Sequence, residues 1–316
     1  ESKVVTLTQP DSEGNGTDDK AVSDNQPEAY PGERILFNSI QRLQTPSVLQ
    51  HRPKVLIPVF PGTNCEYDSA QAFRAAGGEP EILIFRNLTG QHISESIDAL
   101  VKSIGESKIL MIPGGFSAGD EPDGSGKFIA AVLRNPAVTE AVRDLLYNRD
   151  GLMIGICNGF QALIKVGLLP YGDIKELTPE APTLTFNTIG RHVSAYANTR
   201  VVSNRSPWLS RCSPGEVYAI PVSHGEGRFV ATAEVLDHLK KSDQICTQYV
   251  NLFNSATTEM PANPNGSALS IEGICSPDGR IFGRMGHSER FGRAVAINLP
   301  GQKDMPIFES GIDYFN

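Results

Sequence analysis

From residue 54 to the middle of the chain, short apolar runs alternate with longer segments of mixed polarity. The apolar runs have the length and composition of buried strands and cover residues 55–60, 82–85, 109–112 and 152–156. Apolar residues recur at helical spacing in the segments between them, at 69–76, 93–104 and 128–146. Strands that alternate with helices form a parallel sheet covered on both faces. The pattern predicts an α/β fold with a mostly parallel sheet.

The second half of the chain has shorter and less regular apolar segments, which predict β-rich additions. Candidate strands lie at 217–221, 267–275 and 280–285. Pro277-Asp278-Gly279 separates the last two and is a strong turn signal, so we expect these two strands to form a hairpin.

The first fifty residues differ in composition from the rest. Between Asp11 and Glu28 there are six acidic residues, a single lysine and almost no apolar side chain. Such a segment buries too little surface to offset its ordering entropy. We therefore predict a polar, partly disordered linker or tail at 1–52 and one folded domain at 53–316. An amphipathic stretch at 35–49 could pack on that domain, and the start without methionine suggests a fragment or a processed product.

Composition narrows the possible partners and the compartment. The chain has 316 residues, 40% of them hydrophobic, and a formal charge of −8. This acidity and the lack of a basic stripe argue against nucleic acid or an anionic membrane as partners. Five scattered cysteines suit reduced thiols better than disulfides, and their spacing suggests no zinc site. No apolar run approaches a membrane span, so we expect a soluble, cytoplasmic protein.

One cysteine stands where a nucleophile would be expected. The apolar run 152–156 leads directly into Gly155-Ile156-Cys157-Asn158-Gly159-Phe160-Gln161. Glycines two residues before and after Cys157 permit a sharp strand-to-helix turn, and the following helix directs its N-terminal N–H groups at the sulfur. Both features favour a thiolate. The alternative is a structural cysteine at a strand end, which would leave the paired glycines without a purpose.

A nucleophilic cysteine needs a base and a group that orients the base. His287-Ser288-Glu289 follows the predicted strand 280–285, and residues two apart in extended backbone share a side. The pair His224-Gly225-Glu226 has the same spacing but lies between glycines, which suit a mobile or close-contact loop. The residues alone favour His287 only modestly.

These motifs resemble the class I glutamine amidotransferases, whose nucleophile motif is G-x-C-x-G-x-Q and whose triad is completed by a C-terminal H-x-E. Further segments are similar to the glutaminase of the phosphoribosylformylglycinamidine synthase family: Pro61-Gly62-Thr63-Asn64-Cys65-Glu66, Pro113-Gly114-Gly115-Phe116-Ser117, His224-Gly225-Glu226-Gly227 and Asn263-Pro264-Asn265-Gly266-Ser267. The similarity runs from about residue 55 to the C-terminus. It implies a flavodoxin-like fold.

The resemblance also implies roles for individual residues. Cys157 would be the nucleophile, His287 the base and Glu289 its partner. The backbone N–H groups of Gly115 and Asn158 would form the oxyanion hole. Gln161 would lie near the substrate amide.

The implied activity is hydrolysis of L-glutamine to glutamate and ammonia in purine biosynthesis. The ammonia would pass to a synthetase domain or subunit that uses ATP and Mg²⁺ to convert formylglycinamide ribonucleotide to its amidine. No cofactor or metal is expected in this chain. Two alternatives stay open: another class I amidotransferase or cysteine hydrolase on the same scaffold, and a catalytically silent partner domain.

Three other features invite a chemical interpretation. Gly124-Ser125-Gly126-Lys127 resembles a phosphate loop, but Glu121 and Phe128 occupy positions that the motif gives to Gly and to Ser or Thr. Cys65 is a second possible nucleophile, although no elbow surrounds it. Arg228 and Arg290 follow the two His-Glu pairs and would bind a substrate carboxylate or form ion pairs.

Overall fold

A computed structural model describes residues 33–35, 52–116, 126–292 and 294–316. Its strands are β1 (Lys54–Val59), β2 (Glu79–Ile84), β3 (Ile109–Ile112), β4 (Leu152–Ile156), β5 (Thr183–Thr185), β6 (Val193–Val201), β7 (Val217–His224), β8 (Arg228–Val230), β9 (Ile245–Val250), β10 (Ile271–Cys275) and β11 (Ile281–Arg284). Its helices are α1 (Glu66–Ala75), α2 (Gly90–Glu106), α3 (Lys127–Leu133), α4 (Pro136–Arg143), α5 (Asn158–Val166), the short α6 (Leu168–Tyr171), α7 (Ala233–Lys241) and α8 (Ile307–Asp313).

Nine of these strands form one sheet in the order β2-β1-β3-β4-β11-β10-β9-β6-β7. The first five are parallel to one another, and the remaining pairs are antiparallel. The parallel part has the flavodoxin-like order, and the antiparallel part supplies the predicted β-rich addition. The predicted fold class is therefore confirmed.

Helices cover both faces because the chain moves in opposite directions from β1. It crosses to β2 through α1 and then returns past β1 to β3 through α2, and right-handed crossovers in opposite directions lie on opposite faces. Accordingly α1 packs on α8, whereas α2 packs on α4. All four residues of β3 and all five of β4 are buried, as expected for central parallel strands.

The predicted helix at 128–146 is wrong as a single element. It is divided into α3 and α4 at Asn135 and Pro136, and a turn of π-helix at Asp144–Asn148 ends it. The Asn135 side chain accepts a hydrogen bond from the N–H of Ala137, and Pro136 begins the new helix because it needs no N–H partner there.

The predicted C-terminal hairpin is confirmed, since β10 and β11 are antiparallel around Pro277-Asp278-Gly279. Ala268–Ser270, however, form a turn of 3₁₀-helix preceded by Ser267, so the predicted strand at 267–275 begins only at Ile271, and β6 and β9 were not predicted. Most of the predicted tail at 1–52 and of the loop at 118–127 lies outside the described residues. Ile35 is described, and it is buried with its N–H donated to the Gln248 side chain.

Among the helices of the described residues, none combines the length and the apolarity needed to cross a membrane.

Candidate active site

Cys157 lies between β4 and α5 in a strained backbone conformation, with φ +52° and ψ −108°. The two flanking glycines make this turn possible. A Cβ on Gly159 would lie 2.0 Å from the carbonyl oxygen of Ile112, and one on Gly155 would lie 2.8 Å from the backbone of Gly159. The helix can therefore pack directly against β3 and β4 only because both positions lack side chains. The predicted elbow is present, with Cys157 at the N-terminus of α5.

His287 and Glu289 follow β11 and meet in a turn. His287 Nδ1 lies 2.6 Å from Glu289 Oε1, and both side chains are buried. The N–H of Arg290 closes the turn on the carbonyl of His287 at 3.2 Å, so the pair meets without the extended backbone that the sequence suggested. Burial lowers the pKa of His287, but the negative charges of Glu289 and Cys157 outweigh this effect and hold it well above its ordinary value.

Parallel pairing of β4 with β11 brings the two halves of the triad together. The N–H of Cys157 donates to the carbonyl of Arg284 at 2.8 Å. A Cβ on Gly114 would lie 2.8 Å from His287 Cε1 and 3.4 Å from Cys157 Cβ, so the loop after β3 touches both. His287 Nε2 is buried and makes no hydrogen bond within the described part of the chain. Glu289 thus holds one ring nitrogen and leaves the other available to the sulfur or to a substrate.

The two residues suggested for the oxyanion hole lie on either side of this cluster. Asn158 is the first residue of α5, so its N–H lies at the positive end of the helix dipole. Gly115 lies in the loop after β3 with φ +147°, and a Cβ there would meet the carbonyl oxygen of Gly62 at 2.4 Å. Two hydrogen bonds hold this loop to residues 62–64: the N–H of Asn64 donates to the carbonyl of Gly114, and the N–H of Phe116 donates to the carbonyl of Gly62. The N–H of Gly115 takes part in neither bond.

Gln161 connects the elbow to the second His-Glu pair. Its side-chain amide donates to the backbone carbonyl of Glu226, and its Oε1 accepts from the Asn158 side chain at 3.2 Å. The thiol of Cys157 donates to the carbonyl of Ser223 at 3.6 Å. The segment from Ser223 to Gly227 therefore forms one wall of the site.

His224 is fixed in this wall by Asn187. The Asn187 side chain donates to the His224 carbonyl at 2.8 Å, and its Oδ1 lies 3.3 Å from His224 Nδ1 and accepts from the N–H of Gly227 at 3.1 Å. Because Oδ1 can only accept, His224 Nδ1 carries the proton. Burial, followed by the nearby His287 and His192, lowers the pKa of His224 to about 3. The glycines around His224 suggested either a mobile loop or a close-contact loop, and the structure shows close contacts.

The segment Asn263-Pro264-Asn265-Gly266-Ser267 supports the same wall from behind. Asn265 donates its side-chain amide to the carbonyl of Gly227 at 2.7 Å, and the hydroxyl of Ser267 accepts from the N–H of Phe229 at 3.0 Å. All three polar side chains of the segment are fully buried. Its similarity to the family is therefore explained by a structural role.

A buried ion pair holds the turn that carries His287. Arg284 Nε lies 3.0 Å from Glu272 Oε1, and neither side chain is exposed. Arg284 Nη1 donates to the hydroxyl of Ser288 at 2.7 Å, and Glu272 Oε1 accepts from the N–H of Gly286 at 2.7 Å. Arg284 therefore contacts the residue between His287 and Glu289, while its carbonyl holds Cys157. No pattern in the sequence signals this arrangement.

Cys65 is fully buried and lies beside the triad. Its Sγ is 3.8 Å from His287 Nδ1 and accepts from Arg290 Nη2 at 3.0 Å. Ligand atoms of Cys65, His287 and Glu289 all lie within 4.8 Å of one another. The Arg290 guanidinium against the sulfur disfavours a cation there, and His287 Nδ1 is already bonded to Glu289. This set fits the triad better than it fits a metal.

The remaining sequence candidates lie elsewhere or on the rim. Arg290 contacts Cys65, and Arg228 is half-buried in β8. His192, which has no partner spacing in the sequence that suggests a role, lies 3.1 Å from the hydroxyl of Ser223 and contacts the half-exposed Phe116 ring. Most of the loop that resembled a phosphate site is outside the described residues.

Comparison with known proteins agrees with this geometry. Residues 52–315 match the CobB/CobQ-like glutamine amidotransferase domain. The chain is 33% identical over 286 residues to the phosphoribosylformylglycinamidine synthase subunit PurQ of Methanococcus maripaludis, covering 84% of this chain and 98% of the relative. It is 36% identical over 240 residues to the PurQ subunit of Dehalococcoides mccartyi, covering 76% and 86%.

A solved structure shows the same fold. PurLQS from Thermotoga maritima matches with a TM-score of 0.60 and 26% sequence identity, over 84% of this chain and all of that one. The chain belongs to the family of CobB/CobQ-like glutamine amidotransferase domains and, within that family, groups with the PurQ subunits of phosphoribosylformylglycinamidine synthase.

Proposed function

We propose that this chain hydrolyses glutamine to glutamate and ammonia, and that it supplies the ammonia to a phosphoribosylformylglycinamidine synthase in purine biosynthesis. Family membership and the PurQ relatives support the activity. The observation that carries the assignment of residues is the meeting of a strained elbow cysteine with a buried His-Glu pair. Cys157 and His287 both lie within 3.4 Å of the point where a Cβ on Gly114 would stand, and Glu289 Oε1 lies 2.6 Å from His287 Nδ1.

In the proposed mechanism, the thiolate of Cys157 attacks the side-chain amide carbon of glutamine. The amide oxygen becomes an oxyanion, and His287 donates its proton to the departing nitrogen. Ammonia leaves and a thioester remains on Cys157. Water then attacks the thioester with His287 as the base, and glutamate is released. The raised pKa of His287 supports this scheme, because it keeps the ring protonated beside a thiolate.

The N–H groups of Asn158 and Gly115 are the proposed oxyanion donors. The position of Asn158 supports its part, because it directly follows Cys157 at the N-terminus of α5, where the helix dipole favours negative charge. Loss of one donor typically lowers the rate by about 10²–10³-fold. Gln161 is proposed to border the substrate amide, and its bond to the carbonyl of Glu226 holds it beside the elbow.

We propose a synthetase domain or subunit as the partner, and ATP and Mg²⁺ as its cofactors for the conversion of formylglycinamide ribonucleotide. The PurQ relatives are named as subunits of a synthase, and the similar Thermotoga maritima chain comes from the structure of PurLQS. Phe116 and Phe291 directly follow Gly115 and Arg290 and are 49% and 45% exposed, so they offer apolar surface at the rim of the site. The free state of all five cysteines supports a reducing, cytoplasmic location.

Two other functions are less well supported. Another amidotransferase or a cysteine hydrolase could share the elbow, but the similarity to PurQ covers most of the chain. A silent partner domain would have no need for the buried bond between His287 and Glu289.

The test compares two nitrogen sources in the complete enzyme, that is, this chain with its synthetase partner. We expect Cys157→Ser to abolish glutamine-dependent synthesis and glutamate release while ammonia-dependent synthesis continues. Cys212→Ser is the matched control, since Cys212 is equally buried but lies outside the site. We expect it to retain both activities. If Cys157→Ser kept glutaminase activity and Cys65→Ser lost it, the nucleophile would be misassigned.

A second assay measures glutamate release by this chain with and without the synthetase. We expect turnover to be low in the chain alone and to rise when the partner covers the rim at Phe116 and Phe291. An unchanged rate would show that the glutaminase works independently of the synthetase.

A further inference from the structure

The mechanism leaves Cys65 without a task, although this thiol is fully buried beside the catalytic residues. An ideal Cβ on Gly114 would lie 3.1 Å from Cys65 Sγ and 3.4 Å from Cys157 Cβ. Because both distances start from the same point, Cys65 Sγ and Cys157 Cβ are at most 6.5 Å apart. The same Cβ would lie 2.8 Å from His287 Cε1, so the two cysteines and the imidazole all pack around Gly114.

A disulfide requires a close approach, because its two Cβ atoms are about 3.5–4.5 Å apart. Both cysteines border Gly114, and joining their sulfurs requires a change of rotamer at one or both of them.

Both sulfurs also have cationic neighbours. Arg290 Nη2 donates to Cys65 Sγ at 3.0 Å, and the protonated His287 lies beside Cys157. Thiolates are the forms that attack peroxides and disulfides, so the reaction proposed below would start from the thiolate of Cys157. The same guanidinium argues against a bound cation as the purpose of Cys65.

The other three cysteines lack this environment. Burial raises the pKa of the Cys212 thiol to about 12, and it raises the pKa of Cys246 well above its usual value, although Cys246 interacts with Cys275. Cys246 and Cys275 are therefore an internal control, because Cys246 contacts Cys275 and burial outweighs the effect of Arg205 on the pKa of Cys246.

We propose that Cys65 and Cys157 form an oxidative modification site, in which Cys65 resolves the sulfenic acid that a peroxide creates on Cys157. Hydrogen peroxide transfers one oxygen to the Cys157 thiolate, giving a sulfenic acid and hydroxide. Cys65 then attacks that sulfur, the S–O bond breaks, and a disulfide and water form. Reduction by a dithiol restores both thiols. The disulfide stops glutamine hydrolysis and protects Cys157 from irreversible oxidation.

Peptide mapping tests the bond itself. Trypsin places Cys65 in peptide 55–74 and Cys157 in peptide 150–165, whereas Cys246 and Cys275 share peptide 242–280. After treatment of the complete enzyme with hydrogen peroxide and alkylation of free thiols, we expect 55–74 joined to 150–165 in the unreduced digest. Peptide 242–280 should remain fully alkylated. This measurement does not depend on glutaminase activity, so it can fail while the proposed function stands.

Activity recovery tests the protective role. Each variant is inactivated with peroxide, treated with dithiothreitol, and compared with its own starting glutaminase activity. We expect recovery in the wild-type enzyme and in Cys212→Ser, and permanent loss with sulfinic or sulfonic Cys157 in Cys65→Ser. Serine retains a polar partner for Arg290, and circular dichroism verifies folding.

Two results would overturn the proposal. One is the absence of the joined peptide at peroxide doses that inactivate the wild-type enzyme. The other is equal recovery in Cys65→Ser. If the serine variant does not fold, the peptide map of the wild-type enzyme still decides.

Discussion

The imidazole of His287 is held by the carboxylate of Glu289 through a bond of 2.6 Å, and both groups are almost completely shielded from water. Removing the charge of Glu289 tests how much the imidazolium depends on it. In Glu289→Gln we expect the pKa of His287 to fall, because burial is then opposed only by the smaller effects of Cys157 and Cys65. We expect kcat to decrease by about 10²–10⁴-fold, the usual contribution of general acid-base catalysis.

The measurement combines glutamate release with titration of the His287 ring by NMR. The matched control is Glu309→Gln, which removes a carboxylate in the first turn of α8. Retention of the wild-type pKa in Glu289→Gln would contradict the proposed electrostatic role.

Two histidines compete for the role of base, and the structure separates them by their surroundings. His287 Nδ1 is bonded to a carboxylate, whereas His224 Nδ1 is bonded to the amide oxygen of Asn187. We expect His287→Ala to reduce single-turnover thioester formation far more than His224→Ala does, because only His287 is held protonated. Comparable losses in two folded variants would overturn this ranking.

Local sequence was sufficient for the elbow and for the parallel half of the sheet. The apolar runs are strands, of which β3 and β4 are fully buried and the edge strand β2 is not, and the glycines around Cys157 are required by contacts within the β4-α5 unit and with β3. These features arise from neighbouring residues or from simple periodicity, so the chain displays them directly.

The supporting residues were hidden because their partners are distant in sequence. His287 is 222 residues from Cys65, and Asn187 is 37 residues from His224. The missed strand β9 has all six residues buried, but Thr247 and Gln248 interrupt its apolar pattern. Thr247 donates to Glu272 at 2.5 Å, and Gln248 accepts from Arg200 at 2.7 Å. Polar residues that belong to a buried hydrogen-bond network therefore have the sequence pattern of a loop, although they lie in a strand.

Gly114 is the point at which the β3 loop meets the triad, so a single methyl group should disrupt catalysis. A Cβ there would approach His287 Cε1 to 2.8 Å and Cys65 Sγ to 3.1 Å. We expect Gly114→Ala to fold but to lose glutaminase activity by about 10²-fold or more, since small displacements of catalytic groups have effects of this size.

Gly190→Ala is a suitable control, because no atom lies within 4 Å of a Cβ at that position. Its φ of +68° adds mild strain that Gly114 does not have, so a loss of activity confined to Gly114→Ala reports contact with the catalytic residues. Wild-type turnover in Gly114→Ala would show that the triad tolerates the displacement.

The ion pair between Arg284 and Glu272 should determine both stability and activity. Glu272→Gln leaves a guanidinium buried without a counter-charge, and loss of one partner of such a pair typically costs about 3–5 kcal/mol. We expect a decrease of that size in the free energy of unfolding in denaturant titrations, and lower kcat because Ser288 loses a fixed neighbour.

An exposed ion pair is the control for this change. Arg211 and Asp313 form a bidentate pair, but both are about half exposed. We expect Asp313→Asn to change the free energy of unfolding by about 1 kcal/mol or less. Equal effects of the two substitutions would show that burial does not set the strength of the Arg284 pair.

The free energy of unfolding in acid should show whether His224 stays neutral in the folded chain. Its pKa is about 3 in the folded chain, so below pH 6.5 only the unfolded chain binds a proton at this ring. Stability is therefore fully present above pH 6.5 and falls by about 1.4 kcal/mol per pH unit between pH 6.5 and 3 from this group alone. His287 has a raised pKa and is protonated in both states toward the lower end of that window, so it adds little slope there.

The free energy of unfolding, measured between about pH 6 and 5, tests this before most carboxylates titrate. We expect a smaller acid-induced loss in His224→Asn, because asparagine can donate to Asn187 and cannot be protonated. His238→Asn is the control, since His238 is exposed on α7, and it should follow the wild-type slope. A wild-type slope in His224→Asn would mean that the buried ring accepts its proton in the folded state.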